Sequence, residues 1–166
     1  MITVKNGLLL INNNLEKRDL YLEDGKIKDI CENLEVKGEL IDAEGCFIMN
    51  GAIDAHVHLR QPGFEYKETI ESGTMAAAKG GVTTCLAMPN LKPCPDSLEN
   101  LAIEQEIIDR EAKVNVLPYS ALTVGQKSLE LVDFESLKGK VVAFTDDGFG
   151  VNNIPLLRKA MEIAKK

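Results

Sequence analysis

Apolar residues in the first fifty positions come in short runs separated by turn residues. "ITVKNGLLLI", "DLYLEDGKIKDI" and "ELIDAEGCFI" read as strands, with "NNN" as a turn, Asp24-Gly25 at a hairpin position and Glu44-Gly45 as a further turn signal. This predicts a small β-rich domain over residues 1–50. From Gly51 the pattern changes to strand-like apolar runs alternating with runs at helical spacing, as expected for βα units around a parallel sheet. The first unit pairs a strand over 52–58 with a helix near 65–79, closed by Gly80-Gly81. "VTTCLAMPN" is the second strand, and its helix starts at Asp96 or Ser97 and runs through "LENLAIEQEIIDREA". "KVNVLPYSAL" with a short helix in "SLELVDFESLKG" makes the third unit. "KVVAFTDDG" with "IPLLRKAMEIAKK", Pro155 in its first turn, makes the fourth. Four βα units are half of an eightfold barrel. The expected fold class is therefore α/β: the N-terminal half of a (β/α)8 TIM-type barrel over 51–166, truncated, behind the β-rich domain.

Composition narrows the functions available. A chain of 166 residues with 45% hydrophobic content can bury a core. A net charge of -7 and no dense Lys/Arg tract argue against nucleic acid and anionic membranes as partners. No apolar run reaches the roughly 18 residues of a membrane span, and residues 1–11 lack a signal-peptide succession. The cytoplasm is the expected location. The four cysteines, Cys31, Cys46, Cys85 and Cys94, form no CxxC pair and read as reduced thiols. Cys85 falls in an apolar stretch and reads as core; Cys94, between Pro93 and Pro95, reads as an exposed loop thiol.

The unusual residues sit where the barrel's strands end. "DAHVHLR" holds both histidines of the chain. Residues two apart on a strand share a face, so Asp54, His56 and His58 project together if this segment is extended. Two neutral imidazoles side by side suit zinc or a similar divalent ion. A third ligand has to be a carboxylate, and Asp146 and Asp147 emerge after "VVAF" at the same rim; on spacing alone, Asp-Asp-Gly is equally a turn with one Asp capping the last helix. Arg60 offers a planar fork for a carboxylate or phosphate, and Asn90 offers a further donor. Singly, these two read as a surface salt bridge and an Asx-turn. Together, beside a metal, they describe an anion clamp for a small acid whose carbonyl is held at the ion.

"DAHVHLRQPG", "GGVTTCLAMPN" and "AFTDDG", in that order, resemble the class I dihydroorotase family of the amidohydrolase superfamily, and the resemblance spans essentially the whole chain. It implies a metal-bearing hydrolase barrel beside a small composite β-sandwich domain built from both chain ends. The implied reaction is reversible ring closure of N-carbamoyl-L-aspartate to (S)-dihydroorotate in pyrimidine biosynthesis. It further implies two zinc ions per complete site, His56 and His58 as ligands of one, and Asp147 as the carboxylate shared with the second. Arg60 and Asn90, with His58 beside them, would bind the substrate. Related hydantoinases, allantoinases and other dihydroorotases use a carboxylated lysine as the bridge, and "VVAFTDDG" has no lysine at that place. In such a site the ions polarise the carbonyl and acidify the attacking water.

Two departures accompany the resemblance. Gln61 stands where the family carries an acidic residue before "PG", which puts a supporting contact in doubt. The family's proton-shuttling aspartate and its second pair of metal histidines lie on later strands, beyond Lys166, so no catalytic residue is expected in this chain. The isolated polypeptide is expected to be inactive or nearly so and to bind metal weakly, with unpaired strand edges inviting self-association. A non-catalytic partner of aspartate carbamoyltransferase, a homo-oligomer, and another cyclic amidohydrolase such as an allantoinase or dihydropyrimidinase stand as alternatives.

Overall fold

The computed structural model describes residues 1–165 and divides into two compact units, Met1–Asn50 and Gly51–Lys166. The first is a five-stranded sheet formed by β1 (Ile2–Ile11), β2 (Asn14–Glu23), β3 (Lys26–Cys31), β4 (Glu39–Asp42) and β5 (Phe47–Ile48), in the order β3-β2-β1-β4 with β5 also on β1. Two tight hairpins set its register. Asn12 and Asn13 link β1 to β2, and Asp24-Gly25 link β2 to β3; all four residues have positive φ, as a two-residue turn matched to strand twist requires. Glu44-Gly45 does a different job: β4 and β5 both run parallel to β1, so this turn joins two pieces travelling the same way and closes no hairpin.

The second unit opens with a three-stranded parallel sheet in the order β6 (Ala52–Val57), β7 (Val82–Ala87), β8 (Asn115–Pro118). Helices α1 (Ile70–Lys79) and α2 (Leu98–Glu111) connect the strands, giving two complete βα crossovers. Cys85, Ala87 and Val116 from the sheet pack with Leu59, Ile70 and Ile108. Each large side chain buried there contributes about 1.5–3 kcal/mol. A second cluster joins Leu101 to α3 (Phe134–Leu137) and α4 (Ile154–Ala164), through Phe134, Leu137 and Ala160.

Three elements differ from expectation. Helix α1 begins at Ile70, five residues later than predicted, because Thr69 and Ser72 form a reciprocal capping box that fixes the start there. The fourth strand shrinks to an isolated parallel bridge between Ser120 and Phe144, held by backbone bonds from Val142 to Pro118, Ser120 to Ala143 and Thr145 to Ser120. Beyond Thr145 the chain turns inward to seat Asp146. Cys94 is not an exposed thiol: it is partly buried, its Sγ lies 3.5 Å from the Pro89 carbonyl, and burial pushes its pKa up to about 12. Cys85 is buried in the core. Among the described residues no helix is long and apolar enough to cross a membrane.

Candidate metal centre

The strand ends bring three predicted ligands together. His56 lies near the end of β6 and His58 just past it, with ring centroids 5.2 Å apart and planes at 71°. Asp147 reaches them from the turn after the Phe144 bridge. Its Oδ1 lies 3.1 Å from His56 Nε2 and its Oδ2 3.7 Å from His58 Nε2. Donors bound to one tetrahedral zinc at the usual bond lengths stand about 3.3 Å apart, and the two gaps, each to a different Asp147 oxygen, are of that size. One ligand atom from each of the three lies within 4.8 Å of the others. The donor set of two imidazoles and a carboxylate is one that zinc accepts, and the residues present fit such an ion.

Alternation alone does not explain the convergence. Asp54 pairs with Cys85 and Val57 with Ala87, so β6 carries one extra residue between these points. That bulge breaks the period of two. Asp54 falls in the Cys85 row, accepts the His56 amide at 3.1 Å, and stays out of the cluster.

The paired aspartates divide their work. Asp146 is 3% exposed; its Oδ1 accepts the amides of Leu122 at 2.8 Å and Thr123 at 2.9 Å, and its Oδ2 accepts the Thr123 hydroxyl. It is a buried brace and makes no approach to the histidines. Asp147, whose side chain is 13% exposed, has φ 47, a left-handed backbone unusual for a residue with a side chain. Its amide donates to Thr145 Oγ1 at 2.9 Å. Burial pushes the Asp147 carboxyl up, but the Gly148 amide, His58, Asn90 and His56 outweigh it and hold the group below the usual carboxylate range. The anionic form is thus favoured.

His58 is shifted the other way from a cation: burial first, and then the Arg60 guanidinium, keep its pKa below the ordinary value despite Asp147. A neutral imidazole is the form that binds metal. Its Nδ1 is buried without a hydrogen-bond partner, and so is Asn90 Oδ1, although the Asn90 side chain lies beside both His58 and Asp147. Arg60, also left-handed at φ 63, stands close enough to His58 to repel its charged form. All five predicted residues, His56, His58, Arg60, Asn90 and Asp147, thus gather at one rim.

Gln61 has a structural role that sequence reasoning did not assign. Its Oε1 accepts the Ile70 amide at 2.8 Å, satisfying a free donor at the start of α1. Asp146 was not separable from a turn residue by spacing, and its partner Thr123 carried no sequence signal.

The Dihydro-orotase-like family matches residues 45–166, and the chain belongs to that family. It is 50% identical over 165 residues to a dihydroorotase of Bacillus cytotoxicus, covering 98% of this chain and 39% of that protein. To a dihydroorotase of Staphylococcus aureus it is 47% identical over 169 residues, covering 100% of this chain and 40% of the relative. The chain therefore spans about two fifths of the length of these relatives. Among solved structures, the L-hydantoinase (dihydropyrimidinase) of Arthrobacter aurescens superposes with a TM-score of 0.73 at 25% identity, over 86% of this chain and 32% of that one. The fold class is that of the cyclic amide hydrolases.

Proposed function

We propose that the chain serves the reversible ring closure of N-carbamoyl-L-aspartate to (S)-dihydroorotate, with His56, His58 and Asp147 as zinc ligands. The observation that carries this reading is the Asp147 carboxylate spanning both imidazoles, one oxygen toward each. Its two oxygens also suit it to be shared with a second ion. Dihydroorotases at 47–50% identity support the substrate assignment over the hydantoinase-like alternative.

Bound zinc would polarise a carbonyl and lower the pKa of a water. The chain's own residues do the rest of the positioning. His58 is kept neutral by burial and by Arg60, and Asp147 is kept anionic, so both are ready donors without losing a proton first. Arg60, and Asn90 through its side-chain N–H₂, would take the exocyclic carboxylate of the substrate, orienting the ring amide toward the metal.

Cobalt(II) absorption on the purified chain tests this. Visible bands should appear with the metal and disappear in His56→Ala. Added dihydroorotate should shift those bands, and Arg60→Ala should abolish the shift. Unsubstituted hydantoin shifting the bands as strongly as dihydroorotate would favour a hydantoinase, since it lacks the carboxylate. Since the isolated polypeptide is expected to hold metal weakly, cobalt is added in large excess, and absence of bands under that excess would overturn the metal reading.

A further inference from the structure

We propose that Asp146 is the positioning residue of the site, setting Asp147 against the two histidines through Thr123; the assignment of Asp147 as a metal ligand rests on the reading above, but the positioning does not. Asp147 occupies a left-handed conformation, uncommon for a residue with a side chain although more accessible to Asp than to most, and the turn that holds it is tied down on both sides. The restraints are visible. On the N-terminal side, Asp146 is buried and ties to Leu122 and Thr123 with both carboxylate oxygens. On the C-terminal side, the Phe149 amide donates to the Asp146 carbonyl and the Gly150 amide to the Asp147 carbonyl.

Thr123 makes the brace a network. Its Oγ1 donates to Asp146 and accepts the Ser128 amide at 3.0 Å, and Ser128 Oγ in turn donates to the Gly150 carbonyl at 3.1 Å. The residues flanking Asp147 are thus fastened on both sides to the loop that follows β8. Thr123 is fully buried, so water cannot replace a lost partner. The Leu122 and Thr123 amides accepted by Asp146 would be left open by its removal, and the turn would relax toward an ordinary φ. The carboxylate of the next residue would swing away from His56. Supporting groups of this kind around a metal site are worth about 10–100-fold in affinity.

Because the chain has only two histidines, selective ¹⁵N labelling of their rings gives a direct readout without metal. At one fixed pH, Asp147→Ala should move the ring signals, and Asp146→Ala and Thr123→Val should move them the same way. Asp146→Asn keeps an oxygen for the two amides but replaces the acceptor of the Thr123 hydroxyl with an N–H₂, so it should move the ring signals less than Asp146→Ala does. Leu137→Ala, which loosens the second apolar cluster, should lower stability and leave the rings unmoved. If Asp146→Ala does not fold, Thr123→Val and Asp146→Asn decide. Ring signals unchanged in Thr123→Val, or displaced equally by Leu137→Ala, would overturn the positioning role. With zinc, Thr123→Val should bind about tenfold more weakly than wild type. Failure of the wild type to bind zinc while the ring shifts behave as stated would remove the metal reading and leave the positioning role standing.

Discussion

Asp19 in the β-rich unit and Asp147 in the βα unit are both carboxylates held low in pKa, and they are treated in opposite ways. Asp19 is 3% exposed and fully engaged: Lys5 Nζ lies 2.7 Å from it, and the amides of Asn6 and Leu34 donate to it at 2.9 and 3.0 Å. Burial pushes its carboxyl up, and Lys5 with the two amides pulls it back below the ordinary value. Around Asp147 the accounting does not close, since His58 Nδ1 and Asn90 Oδ1 are buried without partners. Among the described residues, every buried side-chain nitrogen or oxygen left without a partner belongs to the second unit. A satisfied carboxylate holds a fold together; one surrounded by unsatisfied donors and acceptors is set up for a group that comes from outside.

Exchanging the two treatments gives the largest expected effects. Asp19→Ala leaves Lys5 and two amides without their acceptor and should cost about 3 kcal/mol of stability, read by denaturant unfolding. It should leave cobalt binding unchanged. Asp147→Ala should do the reverse, with roughly a hundredfold or greater loss of metal affinity and little change in unfolding midpoint. Acid sharpens the contrast. The depressed Asp19 pKa contributes stability above the ordinary carboxylate value, and that contribution fades as pH falls through the lowered one. Equal losses of stability in the two variants would mean that Asp147 is architecture as well.

Glu104 breaks the comparison in a third way, because it is neither engaged nor at the site. It is 2% exposed on α2, its Oε2 has no partner, and burial pushes its pKa up to about 8. The sign is fixed by linkage: the unfolded chain ionises this group near 4.5 while the folded chain keeps it neutral, so stability is full below 4.5 and declines as pH rises through about 8. Glu104→Gln removes the titration. Its melting temperature should fall less than that of the wild type between about pH 5 and about pH 8. Parallel curves for the two proteins would show that the carboxyl is solvated and ordinary.

What could be read from the sequence follows the range over which each signal acts. The Asn12-Asn13 and Asp24-Gly25 turns, the Ser97 cap of α2 and the first-turn proline of α4 are local chemistry, and each appears where the residues place it. The gathering of His56, His58, Arg60, Asn90 and Asp147 could be read because strand ends share one rim. The register shift between Asp54 and Val57 could not, since it depends on pairing with β7, thirty residues further on. The division of labour between Asp146 and Asp147 was equally hidden: two adjacent, chemically identical side chains are told apart only by what lies at 122 and 123.

The smallest expected effect concerns Gln61, next to Arg60 in the chain. Its Oε1 accepts the Ile70 amide at the positive end of α1, where the Thr69 side chain already takes the Ser72 amide at 3.1 Å. Gln61→Ala opens one donor and should cost about 1 kcal/mol. Gln61→Glu keeps the same acceptor and adds a negative charge to the helix N-terminus, which should raise stability by roughly 0.3–1 kcal/mol at low ionic strength and by less in salt. Neither change touches a ligand atom, so the cobalt spectrum should be the same in all three proteins. A spectrum altered in Gln61→Glu alone would mean that the new charge pairs with the adjacent Arg60 and draws it from the rim, making position 61 a control on the anion clamp rather than a helix cap.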